Sequence, residues 1–228
     1  NFTAREFIPW KRAHLSGPVT LVLTGDPHIS SVLISPSWRK RQISVEVTVS
    51  NGSTETQQVT VQAEVVARNK RAAPREEVKV GLEPGDSTVK LMIPAGKLVP
   101  WGMPPHGKNR QYALVVTVEK QNQVLDQAAH SFGFQESWIE DDALMLNGRE
   151  LFLLAARVDP DLKGNVPLER LRAASTNFGL NAWHVHWGTF RRDLFELGDE
   201  LGQYIFPALL CGGQLVPNST RTNQQTHH

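Results

Sequence analysis

The residues best suited to chemistry lie late in the chain, between positions 155 and 211. In Ala182-Trp183-His184-Val185-His186-Trp187 two histidines stand two apart. On an extended strand that spacing puts both rings on one face. Two histidines on one face can ligate zinc, but no third ligand is evident in the sequence, and neither a metal nor another cofactor is expected. Glu196, Asp199 and Glu200 offer carboxylates, yet they fall within a helical pattern and read as a solvated helix face. Asp161 stands in a loop-forming stretch, where an aspartate commonly accepts backbone N–H bonds as a turn or helix cap. Cys211 has no partner motif for nucleophilic work and reads as an inert small hydrophobe. No phosphate loop, nucleotide fingerprint, Ser-His-Asp signature or internal repeat occurs.

Composition narrows the classes further. The chain has 228 residues, 40% hydrophobic and 21% charged, with a formal net charge of +1, an ordinary globular balance. That charge gives no argument for a nucleic-acid or membrane partner. The basic run Arg68-Asn69-Lys70-Arg71 reads as a solvated loop. One cysteine excludes an internal disulfide framework. No apolar run is long enough to span a membrane, and the opening NFTAREFIPWKR lacks the apolar core of a signal peptide. Sequons at Asn1, Asn51 and Asn218 lean toward a periplasmic or secreted protein over a cytoplasmic one.

The elements that must position these residues follow from hydrophobic period. Pro18–Gly25 alternates like the last strand of a preceding domain. From His28 to Phe134 the pattern is all-β. Ile43, Val45, Val47 and Val49 alternate with polar residues, Asn51-Gly52 signals a hairpin, and Val59, Val61, Ala63 and Val65 alternate on the return. Further strands are expected at Val78–Leu82, Val89–Ile93, Tyr112–Val118 and Val124–Phe134. About seven short strands in roughly 100 residues, with no helical period, is the pattern of an immunoglobulin-like sandwich. After Phe134 the period changes. A hairpin turning at Asn147-Gly148 is followed by Leu151–Ala156, an apolar run suited to a strand buried on both faces. Helices at Pro167–Phe178 and Leu194–Leu201 alternate with strands at Ala182–Trp187 and Tyr204–Leu209, which implies a parallel sheet. The tail after Cys211 is polar and aperiodic, a loop or disordered pattern.

With those elements placed, a family can be named. GPVTLVLTGDPHISSVLI, residues 17–34, resembles the junction between the jelly roll and the sandwich of family 2 glycoside hydrolases. Residues 132–155, with Phe132-Gly133-Phe134, Asn147-Gly148 and Leu151-Phe152-Leu153, resemble that family's passage into the first strand of a (β/α)8 barrel. Residues 179–202, from Gly179-Leu180-Asn181 through Phe195-Glu196-Leu197 to Asp199-Glu200-Leu201-Gly202, resemble its second strand and helix. Pro160-Asp161-Leu162, and Pro207 with Cys211, point to the exo-β-glucosaminidase and β-mannosidase branch. The chain departs from the family at Ala155 and Ala156, where glycines are usual, at His184, where an arginine is usual, and at Leu209 and Leu210, where that branch tends to carry a tryptophan and an acid.

The resemblance implies a mainly β chain in four parts. Residues 1–25 end a jelly roll, 26–136 form the sandwich, 137–212 begin a TIM barrel, and 213–228 are a polar tail. A barrel takes about 250 residues, so the chain reads as an internal fragment. The resemblance further implies a retaining β-glycosidase acting on terminal β-linked mannosides, glucosaminides or related sugars. Its two catalytic glutamates would lie on later strands, which leaves the fragment inactive. Asp161, His184 and Trp187 are then the substrate-binding residues. Asp161 would bond a sugar hydroxyl, unless it is the cap described above. His184 would keep a donor near the sugar. Trp187 would stack on a pyranose face or pack between barrel and sandwich. The expected partner is a carbohydrate, and uncovered barrel strands predict self-association or local disorder beyond residue 140. The alternatives are a non-catalytic carbohydrate-binding or scaffolding protein with a decayed barrel, and a plain immunoglobulin-like interaction module.

Overall fold

The structure is a computed structural model that describes residues 24–68, 70–102, 110–158, 168–185 and 192–207. Its first part is a sandwich of two antiparallel sheets. One contains β1 (His28–Ser37), β2 (Gln42–Asn51) and β6 (Gly85–Pro94), in the order β1-β2-β6. The other centres on β3 (Gln57–Ala67). One edge of β3 pairs with β4 (Lys70–Arg71) and β5 (Glu76–Leu82), and the other with β7 (Gln111–Lys120), which in turn pairs with β8 (Gln123–Gly133).

Alternation explains the core. Ile43, Val45, Val47 and Val49 on β2 are fully buried, as are Val61, Ala63 and Val65 on β3 and Leu114, Val116 and Val118 on β7. They meet between the sheets with Val89, Leu91 and Ile93 of β6. Burying each such side chain stabilises by about 1.5–3 kcal/mol, enough to make this the firm part of the chain.

The structure corrects the sequence expectation at Asn51-Gly52. These residues do not turn a hairpin, because β2 and β3 belong to different sheets. Asn51 is 1% exposed. Its amide donates to the carbonyls of Glu55 and Leu82, and its Oδ1 accepts from Ser53 and Gln57. At the crossover between sheets this side chain helps satisfy backbone carbonyls, with Ser53 Oγ also donating to that of Glu55. A buried, fully bonded amide is no glycan acceptor in the folded state, so this sequon loses its bearing on export.

Beyond the sandwich comes a small meander, β9 (Ser137–Glu140), β10 (Ala143–Leu146) and β11 (Arg149–Glu150). Both its turns have two residues with positive φ, Asp141-Asp142 (47° and 65°) and Asn147-Gly148 (49° and 80°). That is the backbone a tight antiparallel hairpin needs.

The meander is fastened to the end of the sandwich. Trp38 stacks on Trp138 with ring centroids 6.3 Å apart. Arg39 lies 4.6 Å over Trp138, and Arg41 lies 4.9 Å over Trp38. Glu136 accepts from Arg39 Nε (2.7 Å), Arg39 N (3.0 Å) and Ser37 Oγ (3.0 Å). Asn147 Oδ1 accepts from Glu136 N, and its amide donates to the Trp101 carbonyl.

The last part has three parallel strands, β12 (Ala155–Val158), β13 (Ala182–Val185) and β14 (Tyr204–Pro207), in that order. Helices α1 (Leu168–Phe178) and α2 (Arg192–Leu201) connect them. Gly179 (φ 65°) and Gly202 (φ 72°) end the helices in the left-handed conformation that glycine adopts without strain. The first strand starts later than its apolar run predicts. Leu151–Leu154 is irregular, and Phe152 is 83% exposed. A strand buried on both faces needs cover on both, and here the helices cover only one.

Candidate functional site

The candidate site is the face of the parallel sheet turned away from the helices. Strand alternation places residues on it. On β13, Trp183 and Val185 are fully buried and join Val158, Leu171, Leu194 and Leu197 in a core beneath α1 and α2. The Trp183 indole donates to Ser175 Oγ of α1 at 3.1 Å, which fixes its direction. His184 must then point the other way, and it is exposed. On β12, Val158 joins the helix-side core and Arg157 faces out. On β14, Ile205 packs beneath α2, so tightly that a Cβ on Gly198 would come within 2.6 Å of it.

Register then assembles two rows. Ala155, Ala182 and Tyr204 align across the three strands, and one layer nearer the strands' C-terminal ends so do Arg157, His184 and Phe206. Tyr204 and Phe206 stack at 6.2 Å, and Tyr204 meets the edge of Trp101 at 6.2 Å. Burial pushes the Tyr204 hydroxyl's pKa up.

Of the three residues expected to bind substrate, His184 lies on this face. Asp161 and Trp187 lie outside the described residues, as does His186. Glu200 pairs with both guanidinium nitrogens of Arg172, at 2.7 and 2.8 Å, and Glu196 pairs with Arg192. Glu200 thus joins α2 to α1, while Glu196 pairs within α2, and both face solvent. Among the described residues, no three His, Cys, Asp or Glu side chains converge as a metal site. No helix among them is long and apolar enough to cross a membrane.

Sequence reasoning missed Arg157. The signal was present, since a charged residue directly after the apolar run Leu151–Ala156 marks where an open face begins.

The arrangement can donate hydrogen bonds through a guanidinium and an imidazole beside an aromatic ring. It cannot supply paired carboxylates, because the three strands read Ala-Ala-Arg-Val, Ala-Trp-His-Val and Tyr-Ile-Phe-Pro.

Residues 27–135 match the family model described as Glycosyl hydrolases family 2. The family 2 match coincides with β1 to β8 and Phe134. Solved structures agree in fold. A β-D-mannosidase from Dictyoglomus thermophilum is 17% identical at a TM-score of 0.69, with 89% of this chain and 27% of that one covered. A glycosyl hydrolase family 2 member from Bacteroides cellulosilyticus is 19% identical at a TM-score of 0.68, covering 82% and 25%. An exo-chitosanase from Amycolatopsis orientalis is 20% identical at a TM-score of 0.61, covering 78% and 22%. The chain thus spans about a quarter of the length of the solved structures it matches. Among curated proteins none matches it.

Proposed function

We propose that the chain is a segment of a retaining β-glycosidase that removes terminal β-linked sugars, mannosides, glucosaminides or related units. The family 2 match over residues 27–135 carries this reading. It is supported by the parallel β/α units that follow the sandwich, where the resemblance implies a barrel to begin.

On this reading β12, β13 and β14 are the first strands of a (β/α)8 barrel, whose substrates bind at the strands' C-terminal ends. His184 stands near that end and donates a hydrogen bond to the sugar. Asp161 follows the first strand and bonds a hydroxyl. Trp187 follows the second and offers a ring to the pyranose face. Retention requires two carboxyl groups about 5 Å apart. One attacks the anomeric carbon, while the other protonates the departing oxygen and then deprotonates water. The three described strands hold no carboxylate. Both groups therefore come from further strands, and this segment orients sugar without cleaving it.

The test is release of p-nitrophenol from aryl β-mannoside, β-glucosaminide, β-galactoside and β-glucuronide by the 228-residue chain. No turnover is expected. Turnover abolished by His184→Ala would place a catalytic pair inside this segment and overturn the fragment reading. The gene downstream of His228 decides the enzyme reading itself. Further β/α units with two strand-borne glutamates support it, and a stop codon defeats it in favour of a non-catalytic carbohydrate-binding protein.

A further inference from the structure

The outward face of the sheet built on β3, β7 and β8 holds a cavity of about 220 Å³. Register puts Gln62, Thr117 and Gln127 in one row across its floor. Alternation alone would leave such residues in water, yet Gln62 is 8% exposed and Thr117 9%. Longer side chains flank the row, Glu64 and Arg75 toward one end of the strands and Glu119 toward the other. Gln62 Nε2 donates to Glu119 at 2.8 Å, and Gln127 Nε2 donates to Thr117 Oγ1 at 3.1 Å. Thr117 keeps its hydroxyl proton to give, and each amide keeps a carbonyl oxygen and a second N–H. A bulge in β8 adds an apolar patch. Val118 pairs with Asp126 and Glu119 with Val124, which leaves Leu125 as an extra residue. Leu125 packs on the core, and Val124 turns outward into the cavity lining, 53% exposed.

We propose that this cavity is a second sugar-binding site, which holds one neutral pyranose ring on the sandwich, apart from the parallel sheet. A sugar hydroxyl both donates and accepts, and the Gln62–Thr117–Gln127 row does the same. The ring's C–H groups rest on Val115 and Val124. The cavity lies below the roughly 300–1,000 Å³ of pockets for drug-sized ligands, which suits a single ring. The charges favour a neutral one. Glu64 is tied to Arg71 at 2.6 Å and Arg75 to Glu77 at 3.3 Å, so neither calls for a counter-ion. A uronate would set a second carboxylate against Glu119, and an ammonium would set a second cation against Arg75. Each such meeting of like charges selects against its ligand. The site needs no barrel, and it goes beyond the glycosidase reading of the parallel strands.

The experiment titrates the 228-residue chain with methyl β-mannoside, methyl β-glucoside, methyl β-glucuronide and methyl β-glucosaminide, followed by amide NMR shifts. At least one neutral glycoside is expected to move Gln62, Thr117, Val124 and Gln127 together, with a dissociation constant on the order of 1 mM. The two charged glycosides are expected to bind more weakly. Thr117→Val keeps the side chain's shape and removes its hydroxyl, and it should weaken binding about tenfold, the worth of one hydrogen bond. Thr117→Ser should restore binding. An unchanged circular dichroism spectrum verifies the fold of both variants. No shift at this row with either neutral glycoside, or affinity that survives Thr117→Val, overturns the site. Tighter binding of the glucuronide or the glucosaminide overturns the neutral assignment. Shifts at His184, read in the same titration, report on the parallel sheet separately, so failure here is distinguishable from failure of the glycosidase reading.

Discussion

Replacing Glu136 by Gln should loosen the joint between sandwich and meander, with a pH signature that identifies the cause. The Arg39 guanidinium draws the Glu136 carboxyl down from its ordinary 4.5 to about 2, against the opposing effect of desolvation, with help from Arg39 N and Ser37 Oγ. At about 1.4 kcal/mol per unit, that displacement corresponds to at most roughly 3.5 kcal/mol. Arg39 is 56% exposed, so water screens the pair, and about 1–2 kcal/mol is the expected loss. A carboxyl whose pKa is lower in the folded state stabilises fully above its unfolded pKa. The contribution fades as pH falls from about 4.5 through about 2. The assay is urea unfolding followed by tryptophan fluorescence, since Trp138 lies against Arg39. The parent chain should exceed Glu136→Gln in stability at pH 7, and the two should converge near pH 2. A gap that persists at pH 2, or no gap at pH 7, would refute the assignment of this stabilisation to the ion pair.

Two further outcomes test the packing. Gly198→Ala should cost about 1–3 kcal/mol by overpacking α2 against Ile205, and should raise amide exchange in Tyr204–Pro207 while the sandwich amides stay protected. Residues 26–136 expressed alone should give a β-type circular dichroism spectrum and one cooperative thermal transition, because their core is closed by two sheets. A gradual melt would contradict that closure.

The sandwich was legible because burial on one face writes a period of two directly into the sequence. Ile43, Val45, Val47 and Val49 show it, and all four are fully buried. The period says which face is covered but not which strand lies alongside. Asn51-Gly52 therefore passes for a hairpin although the chain crosses there to the opposite sheet. Asn147-Gly148 carries the same dipeptide and does turn a hairpin, since Leu146 and Arg149 pair across it. In the site, His184 stood out by residue type alone. Arg157 did not, because its place beside His184 depends on the register of strands joined through a whole helix. Phe152 and Leu154 read as core and are exposed. Hydrophobicity states what a residue would gain from cover, and nothing in a local window states whether cover exists.

Asn181 offers a last consequence, one about timing. Its backbone bonds the Leu154 carbonyl on one side and the Tyr204 amide on the other, and its side chain bonds Leu154 N and the Phe152 carbonyl. One residue thus joins three stretches of chain that emerge far apart during synthesis. The segment before β12 has no regular pairing of its own to hold it, and it finds these bonds only after α1 has brought position 181 back. We expect the register of all three strands to be set together at this point. Asn181→Ala should therefore slow the refolding of this unit as well as weaken it, and leave the refolding rate of the sandwich unchanged.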